Sequence, residues 1–216
     1  SEPVGSRCDY EAGWCGWRNA GGYDSFKRHR GPTDKDRTGP SFDHTLKNGS
    51  GWYILSELPV TGKLGDQYEL ESPFFDPPPC YHSNKTSAYY KSCTMRLFYH
   101  KLGRNQGSLI VKVWEFLPGQ PARTHIIDQI TGERGNVWHR LTQPLPINLF
   151  HRYKVVVVNV RAASFRGDLG FDDFTLSPEC FGRDVPDDEF VVCVSNPLQQ
   201  PLTTWSLHHT SRLQTK

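Results

Sequence analysis

The segment Thr94–His100 reads TMRLFYH, and its residues alternate with a period of two. Met95, Leu97 and Tyr99 fall on one side of an extended chain, and the polar residues of the segment fall on the other. This alternation is typical of a strand that buries one face. The segment therefore predicts a strand at the boundary between a core and a second, more polar surface.

The same pattern extends to other parts of the chain. Ser108–Trp114 places Leu109, Val111 and Val113 on one face, and Tyr153–Val160 carries four consecutive valines that are apolar on both faces. A run that is apolar on both faces indicates a central strand. Turn-forming residues recur about every ten residues, and no stretch has convincing helical periodicity. We therefore expect an all-β fold, an antiparallel β-sandwich.

Length and composition agree with this fold class. A chain of 216 residues fits one all-β domain with a tail. Aromatic residues make up 12% of the chain and methionine occurs once, which suits strands and turns better than a helical bundle. A formal net charge of +2 with 22% charged residues argues against a nucleic-acid partner.

The cysteines and two short motifs indicate the compartment. The six cysteines form no Cys-x-x-Cys pair and have no histidine at zinc-finger spacing, so we expect disulfides formed outside the cytosol. Asn48 and Asn84 each begin an N-glycosylation sequon. No apolar run is long enough to span a bilayer, and the first residues lack a signal-peptide core. We expect a mature or excised extracellular chain, with any membrane anchor elsewhere in the parent.

Several short segments follow one another in a recognisable order: CDYE (8–11), CGWRN (15–19), GPSFDHT (39–45), GWYI (51–54), LESP (70–73), CTMRLFYH (93–100), the glycine-bounded strand 103–113, Trp138 and GDLGFDDF (167–174). In this order they resemble the signature of the MAM family over residues 8–180. The resemblance implies a jelly-roll-like sandwich over 8–181. We interpret residues 182–216, which are polar and lack periodicity, as a tail or linker.

The resemblance also implies how the cysteines pair. Two disulfides follow from the family pattern, and the two remaining cysteines form a third pair, which gives Cys8–Cys15, Cys93–Cys180 and Cys80–Cys193. The third bridge would pin part of the tail to the sandwich through Cys193.

Residues 166–176 read RGDLGFDDFTL and raise two questions. Arg166, Gly167 and Asp168 spell an integrin-type motif, but the apolar residues that follow favour a strand entering the core. The apolar face changes parity across Asp172 and Asp173, which predicts a β-bulge that turns one carboxylate inward.

An inward carboxylate needs a cation or several hydrogen-bond donors. The resemblance implies a structural calcium or sodium ion, and Glu11, Asp43 and Asp172 are the predicted ligands, since calcium prefers oxygen. The alternative is that these acids accept backbone N–H groups and hold no ion.

No nucleophile elbow, zinc-protease motif or phosphate loop occurs in the sequence, and His44 and His100 fit packed, hydrogen-bonded roles. We therefore expect no enzyme. The resemblance implies an extracellular module that binds protein, including another copy of itself, in adhesion, dimerisation or receptor assembly. The alternatives are a calcium-dependent lectin-like sandwich and a non-catalytic domain of a larger extracellular protease.

Three aromatic sites could form a partner-binding patch. Phe74–Phe75, Tyr89–Tyr90 and Trp114 are the candidates, and a role in the core is favoured for most of them.

Overall fold

The computed structural model describes residues 2–21, 23–35 and 37–190. This part of the chain contains eleven strands and two short 3-10 helices, Cys80–His82 and Pro178–Phe181. The strands are β1 (Arg7–Cys8), β2 (Arg18–Ala20), β3 (Phe26–Arg30), β4 (Trp52–Ser56), β5 (Gln67–Glu71), β6 (Thr94–Lys101), β7 (Ser108–Glu115), β8 (Arg123–Thr131), β9 (Gly135–Pro144), β10 (Tyr153–Val160) and β11 (Leu169–Leu176).

The strands form two antiparallel sheets that pack face to face. Sheet A has the order β3-β4-β11-β6-β9, with β1 paired to β11, and sheet B has the order β2-β5-β10-β7-β8. The predicted all-β antiparallel sandwich is confirmed.

The four valines lie in the middle of sheet B, as predicted. Strand β10 pairs with β5 on one side and β7 on the other. Val155 and Val157 belong to the core between the sheets, while Val156 and Val158 are fully buried on the other face of β10. Both faces of this strand are therefore covered, which explains its continuous apolar run.

The alternating segments occupy facing positions in the two sheets. Met95 and Leu97 of β6 and Val111 and Val113 of β7 are buried in the same core. Trp17 adds an aromatic contact to sheet A, with its ring centroid 4.7 Å from that of Phe174.

Two disulfides tie the sandwich, and both pairings were predicted. Cys8 is bonded to Cys15, and Cys93 to Cys180. The second bridge closes a separation of 87 residues. In the chain-entropy description it stabilises the fold by about 4–5 kcal/mol, because it restricts the unfolded chain.

Cys80 is also in a disulfide. Its predicted partner, Cys193, lies outside the described residues, so the Cys80–Cys193 pairing stays a prediction. Of the predicted tail, residues 182–190 are described, and they lie against the loop after Cys80. Phe190 packs edge-on against Tyr81 at 5.4 Å, and Glu189 accepts a hydrogen bond from Ser87 at 2.5 Å.

Candidate functional site

The most distinctive feature of sheet A is a bulge in β11. Pairing with β6 runs to Asp172 opposite Phe98 and resumes at Thr175 opposite Arg96, so two residues of β11 face one of β6. Asp173 has a positive φ of 48°. The extra residue allows both Phe171 and Phe174 to enter the core, and it leaves Asp172 fully buried. The predicted bulge and the inward carboxylate are confirmed.

The loop that follows Gly39 and Pro40 holds both carboxylates of the bulge. The backbone N–H of His44 donates to Asp172 Oδ2 at 2.8 Å, and the Thr45 hydroxyl donates to Asp173 Oδ1 at 2.9 Å. The His44 ring bonds to Asp173 Oδ2 at 2.5 Å and stacks on Phe98 with centroids 3.5 Å apart. His44 therefore positions the loop against the bulge, as its predicted packed role requires.

The other two predicted ion ligands lie at the start of β4. Asp43 is fully buried and accepts the N–H groups of Leu46 and Asn48. A Cβ atom on Gly51 would lie 2.0 Å from the Asp43 carboxyl carbon, so this position requires glycine. Glu11 Oε1 accepts the N–H of the next residue, Trp52, at 2.9 Å.

We call Glu11, Asp43, Asp172 and Asp173 the carboxylate cluster. Burial, followed by the charges of Asp173 and Asp43, raises the pKa of Asp172 to about 8. Burial and the charges of Asp172 and Asp173 also raise the pKa of Tyr10, whose buried hydroxyl has no hydrogen-bond partner within the described part of the chain. The cluster is therefore rich in oxygen atoms and short of positive charge.

This geometry bears on both interpretations of the predicted ion site. Each predicted ligand accepts a backbone N–H group, as the alternative to an ion site required. In residues 2–21, 23–35 and 37–190, no group of three or more His, Cys, Asp or Glu side chains is arranged to hold a metal. The chemistry of the cluster, with hard oxygen atoms and an excess of negative charge, nevertheless suits calcium or sodium. The ion site stays a prediction.

The integrin-type motif is built into the fold. Asp168 is fully buried, accepts the Thr38 hydroxyl at 2.5 Å and pairs with Lys35 Nζ at 3.1 Å. A Cβ atom on Gly167 would lie 2.5 Å from the Asn105 carbonyl oxygen. Arg166 is exposed, but the carboxylate of Asp168 cannot reach a cation on another protein without breaking this loop.

The two sequons lie on accessible loops. Asn48 is exposed and its side-chain oxygen accepts the Ser50 N–H and hydroxyl. Asn84 is half-buried, and its side-chain oxygen accepts the same pair of groups from Thr86. Glycosylation of both asparagines stays a prediction.

The aromatic candidates separate according to strand parity. Phe75 pairs with Tyr153 and is buried in the core, whereas its neighbour Phe74 points out of sheet B and is 41% exposed. Trp114 is half-buried on the same outward face as Lys112. Tyr89 and Tyr90 are also half-buried, in the loop after Cys80. The expectation that most of these residues lie in the core is wrong, because Phe75 alone among the five is buried.

Sequence patterns did not indicate a third charged group, around Glu115. This buried carboxylate bonds to His125 Nε2 at 2.8 Å and to His151 Nδ1 at 2.9 Å. Burial opposes ionisation, but the hydrogen bonds of both histidines lower the pKa of Glu115. The three residues come from the end of β7, the start of β8 and the approach to β10, so no local motif could reveal them.

A disulfide-tied antiparallel sandwich with a carboxylate cluster beside a bulged strand defines the class of this protein: a β-sandwich module of the extracellular type. Residues 8–181 match the family described as MAM domain, meprin/A5/mu. The chain therefore belongs to the MAM family, whose domains are extracellular protein-interaction modules.

Curated relatives carry the same domain in longer proteins. The rat protein named MAM domain-containing glycosylphosphatidylinositol anchor protein 1 is 30% identical over 162 residues, which are 74% of this chain and 15% of that protein. Its human counterpart is 28% identical over 174 residues, which are 77% of this chain and 16% of that protein. The chain thus spans about a sixth of the length of these relatives.

Solved structures with a similar arrangement include a family 22 carbohydrate-binding module of Clostridium thermocellum. It is 12% identical and covers 82% of this chain and 96% of its own, with a TM-score of 0.48. At this level the similarity carries no functional argument. Within the described residues, no helix is long and apolar enough to cross a membrane.

Proposed function

We propose that this MAM domain is a non-catalytic extracellular module that binds other proteins in adhesion, dimerisation or receptor–ligand assembly. The match of residues 8–181 to the family carries the proposal. The two disulfides and the two-sheet core supply a rigid scaffold on which surface loops and strand edges keep a fixed geometry.

The groups with strongly shifted pKa values support a structural role. Burial lowers the pKa of His100 to about 4 and that of Lys101 to about 8, and both side chains are enclosed by the sandwich. His100 Nε2 bonds to Asn136 Oδ1 at 2.9 Å, and Lys101 Nζ donates to the Gly107 carbonyl at 3.0 Å. Because both side chains are shielded from solvent, a substrate cannot reach them as acids or bases, which supports a non-catalytic role.

A binding experiment on the purified domain tests this proposal. The domain is immobilised on beads for an aggregation assay and is also presented to a panel of cell-surface ectodomains. Saturable binding to itself or to a protein in the panel is expected. Calcium-dependent binding to a glycan array, with no binding to protein, would support the lectin-like alternative and contradict the proposal.

We also propose that calcium or sodium occupies the carboxylate cluster and stabilises it. Asp43, Asp172 and Glu11 would provide the oxygen ligands, and the ion would supply the positive charge that the cluster lacks. A ligand that binds only the folded state raises its stability, so calcium at about 100 times its dissociation constant adds about 2.7 kcal/mol. We expect calcium to raise the melting temperature of the wild type and not that of Asp172→Asn. An equal rise in the melting temperature of both proteins would show that calcium binds at another site.

Two further proposals concern the parent protein. The relatives are named as glycosylphosphatidylinositol anchor proteins, and we propose that the parent of this chain is likewise displayed at the cell surface. Release from cells by phosphatidylinositol-specific phospholipase C tests this.

We also propose N-glycans at Asn48 and Asn84, which lie on accessible loops. Treatment with peptide-N-glycosidase F should convert both asparagines to aspartate, as mass spectrometry would detect.

A further inference from the structure

An exposed aromatic pair lies at one corner of the outer face of sheet B. The rings of Phe74 and Phe116 meet edge-on, with centroids 4.9 Å apart. Phe74 is 41% exposed and Phe116 is 36% exposed, although each follows or precedes a residue that is fully buried. Large apolar side chains that remain exposed as a group are a feature of interaction surfaces.

Two cations hold this pair in place. The Arg152 guanidinium carbon and the Lys154 Nζ each lie 4.6 Å from the centroid of the Phe74 ring. The backbone N–H of Phe116 donates to the Arg152 carbonyl at 2.9 Å, which ties the chain at Phe116 to the residue before β10. We call Phe74, Phe116, Arg152 and Lys154 the Phe74–Phe116 platform. Because the Phe74 ring already packs against Phe116 and two cations, the platform itself would lose little conformational entropy on binding a partner.

The charges around the platform are arranged in layers. Glu71 Oε1 accepts Lys154 Nζ at 2.7 Å and Arg18 Nε at 2.6 Å, and the Glu71 side chain is only 8% exposed. The side chains of Arg18 and Arg152 are 71% and 63% exposed. Asp76, 74% exposed and 3.8 Å from Arg152, is the acid on the solvent side. Three cations, Arg18, Arg152 and Lys154, face two acids, Glu71 and Asp76, so this surface has an excess of one positive charge and its guanidinium groups reach solvent.

The outer face continues from the platform along β10 and β7. Lys154 lies opposite Trp114 in the strand register, and Lys112 Nζ lies 4.9 Å from the Trp114 ring. Lys112 in turn donates to Glu69 at 2.6 Å. A partner that covers the platform would therefore meet a further ring, Trp114, with a paired cation, Lys112, beside it.

Shielding the outer face of sheet B from solvent does not by itself explain why the platform residues remain exposed. Phe74 shields Lys154, which explains one face of its ring, but Phe116 and the outer side of Arg152 face solvent. Phenylalanine and arginine are among the residue types enriched at the centres of protein interfaces. Phe74, one of the aromatic candidates in the sequence, and Phe116, which the sequence did not single out, combine this composition with exposure.

Resting on the proposed function, we propose that the Phe74–Phe116 platform is the protein-binding surface of this domain. Its partner is a protein segment that presents carboxylates beside an aromatic side chain. The partner's ring packs on Phe74 and Phe116, and its carboxylates pair with the exposed guanidinium groups of Arg152 and Arg18. Such charge complementarity also predicts that association slows as salt is added.

A random copolymer of glutamate and tyrosine is a suitable probe, with polyglutamate and heparin as comparisons. Binding to the immobilised wild-type domain is measured by biolayer interferometry. We expect the copolymer to bind more tightly than polyglutamate. The double variant Phe74→Ser/Phe116→Ser should weaken copolymer binding by about tenfold, the loss expected when two central rings are removed.

Phe42→Ser is the matched control, because Phe42 is 43% exposed and lies beside β9 of the other sheet, where its carbonyl accepts the Trp138 indole N–H. This variant should bind like the wild type. Arg152→Gln, which leaves both rings in place, should reduce the salt dependence of binding. It also provides a second test in case the double variant does not keep the wild-type melting temperature.

The outcomes separate the two proposals. Copolymer binding that survives both Phe74→Ser/Phe116→Ser and Arg152→Gln, or tighter binding to heparin than to the copolymer, would overturn the platform as the protein-binding surface. Saturable binding to an ectodomain in the panel would then still support the proposed function. Absence of binding to every protein in the panel and to itself would overturn the proposed function.

Discussion

Two groups of buried carboxylates lie in the two sheets, and they are neutralised in different ways. In sheet A, Asp172 is surrounded by Asp43 and Asp173, and its oxygen atoms accept backbone N–H groups. In sheet B, Glu71 accepts hydrogen bonds from Lys154 and Arg18. Burial and neighbouring charge raise the pKa of Asp172 to about 8. Burial acts in the same direction on Glu71, but its two cations lower the pKa below the usual value.

The difference shows that the two groups have different functions. The carboxylate cluster lacks positive charge, so a proton or a metal ion must complete it. The Glu71 group already contains its counter-ions and serves to fix Lys154 beneath Phe74. The first group therefore lacks a cation among its described contacts, whereas the second contains two and supports the residues at the exposed surface.

The largest change in stability is expected in sheet B. Glu71→Gln leaves Lys154 buried without its counter-ion, and we expect the free energy of unfolding to fall by about 3 kcal/mol. Urea denaturation measures the change.

The matched control is Glu57→Gln, since Glu57 pairs with Lys27 at 2.5 Å but both side chains are more exposed, at 26% and 44%. Removing this exposed pair should lower the free energy of unfolding by less than about 1 kcal/mol. If both variants lost the same amount, Glu71 would not be the buried counter-ion described above.

In sheet A, removing a buried carboxylate should change the free energy of unfolding in the opposite direction. With chelator present near neutral pH, Asp172→Asn removes a carboxylate whose ionisation the fold opposes. We expect the free energy of unfolding to rise by about 1–2 kcal/mol, after the loss of one acceptor for a backbone N–H. Asp173→Asn is the control and should lower stability, because Asp173 holds the His44 ring and the Thr45 hydroxyl. Destabilisation by both changes would mean that Asp172 is ionised and already paired.

The dependence of stability on pH should follow the same carboxyl group. The folded-state pKa of Asp172 lies near 8, above the usual value of 3.8, so the folded protein holds a proton that the unfolded chain has released. The stability that comes from this proton is fully present below pH 3.8, the usual pKa, and is lost as the pH rises through about 8. The slope of the free energy of unfolding is at most about 1.4 kcal/mol per pH unit.

The pH range in which Asp172 can be observed separately runs from about 6.5 to 8. Below this range, unfolding also protonates His100, because burial lowers its pKa in the folded state. In chelator, the wild type should lose stability across this window, and Asp172→Asn should lose much less. If the two proteins lost the same stability across this pH range, Asp172 would not be the cause of the loss.

The smallest effect concerns Tyr10. Its buried hydroxyl has no partner within the described residues, so Tyr10→Phe should raise the free energy of unfolding by about 0.5–1 kcal/mol in chelator. If the hydroxyl contacts an ion, the same change should reduce the stabilisation by calcium. Loss of stability in chelator would show that the hydroxyl has a bound partner, such as water.

The sequence predicted those features that depend on neighbouring residues. The alternation in β6 and β7, the doubly buried valines of β10 and the bulge at Asp172 all follow from side-chain parity along a single strand. The disulfides at Cys8–Cys15 and Cys93–Cys180 followed from the resemblance to the family.

Features that depend on distant pairing were not predicted. Glu71 and Lys154 are separated by 83 residues, and no local pattern indicates that their strands adjoin. Phe74 and Phe75 look equivalent in the sequence, but only the register with β10 shows which one enters the core. The resemblance to the family suggested Glu11, Asp43 and Asp172 as a ligand set, which stays a prediction, and the lack of positive charge around Asp172 became apparent only from its burial beside Asp173 and Asp43.

One interferometry experiment tests most directly whether this MAM domain binds protein through the Phe74–Phe116 platform. The wild type, Phe74→Ser/Phe116→Ser and Phe42→Ser are each passed over the ectodomain that the panel identifies, at equal folded concentration. We predict that the double variant loses most of the binding and that Phe42→Ser keeps it. Equal binding by all three proteins would contradict it.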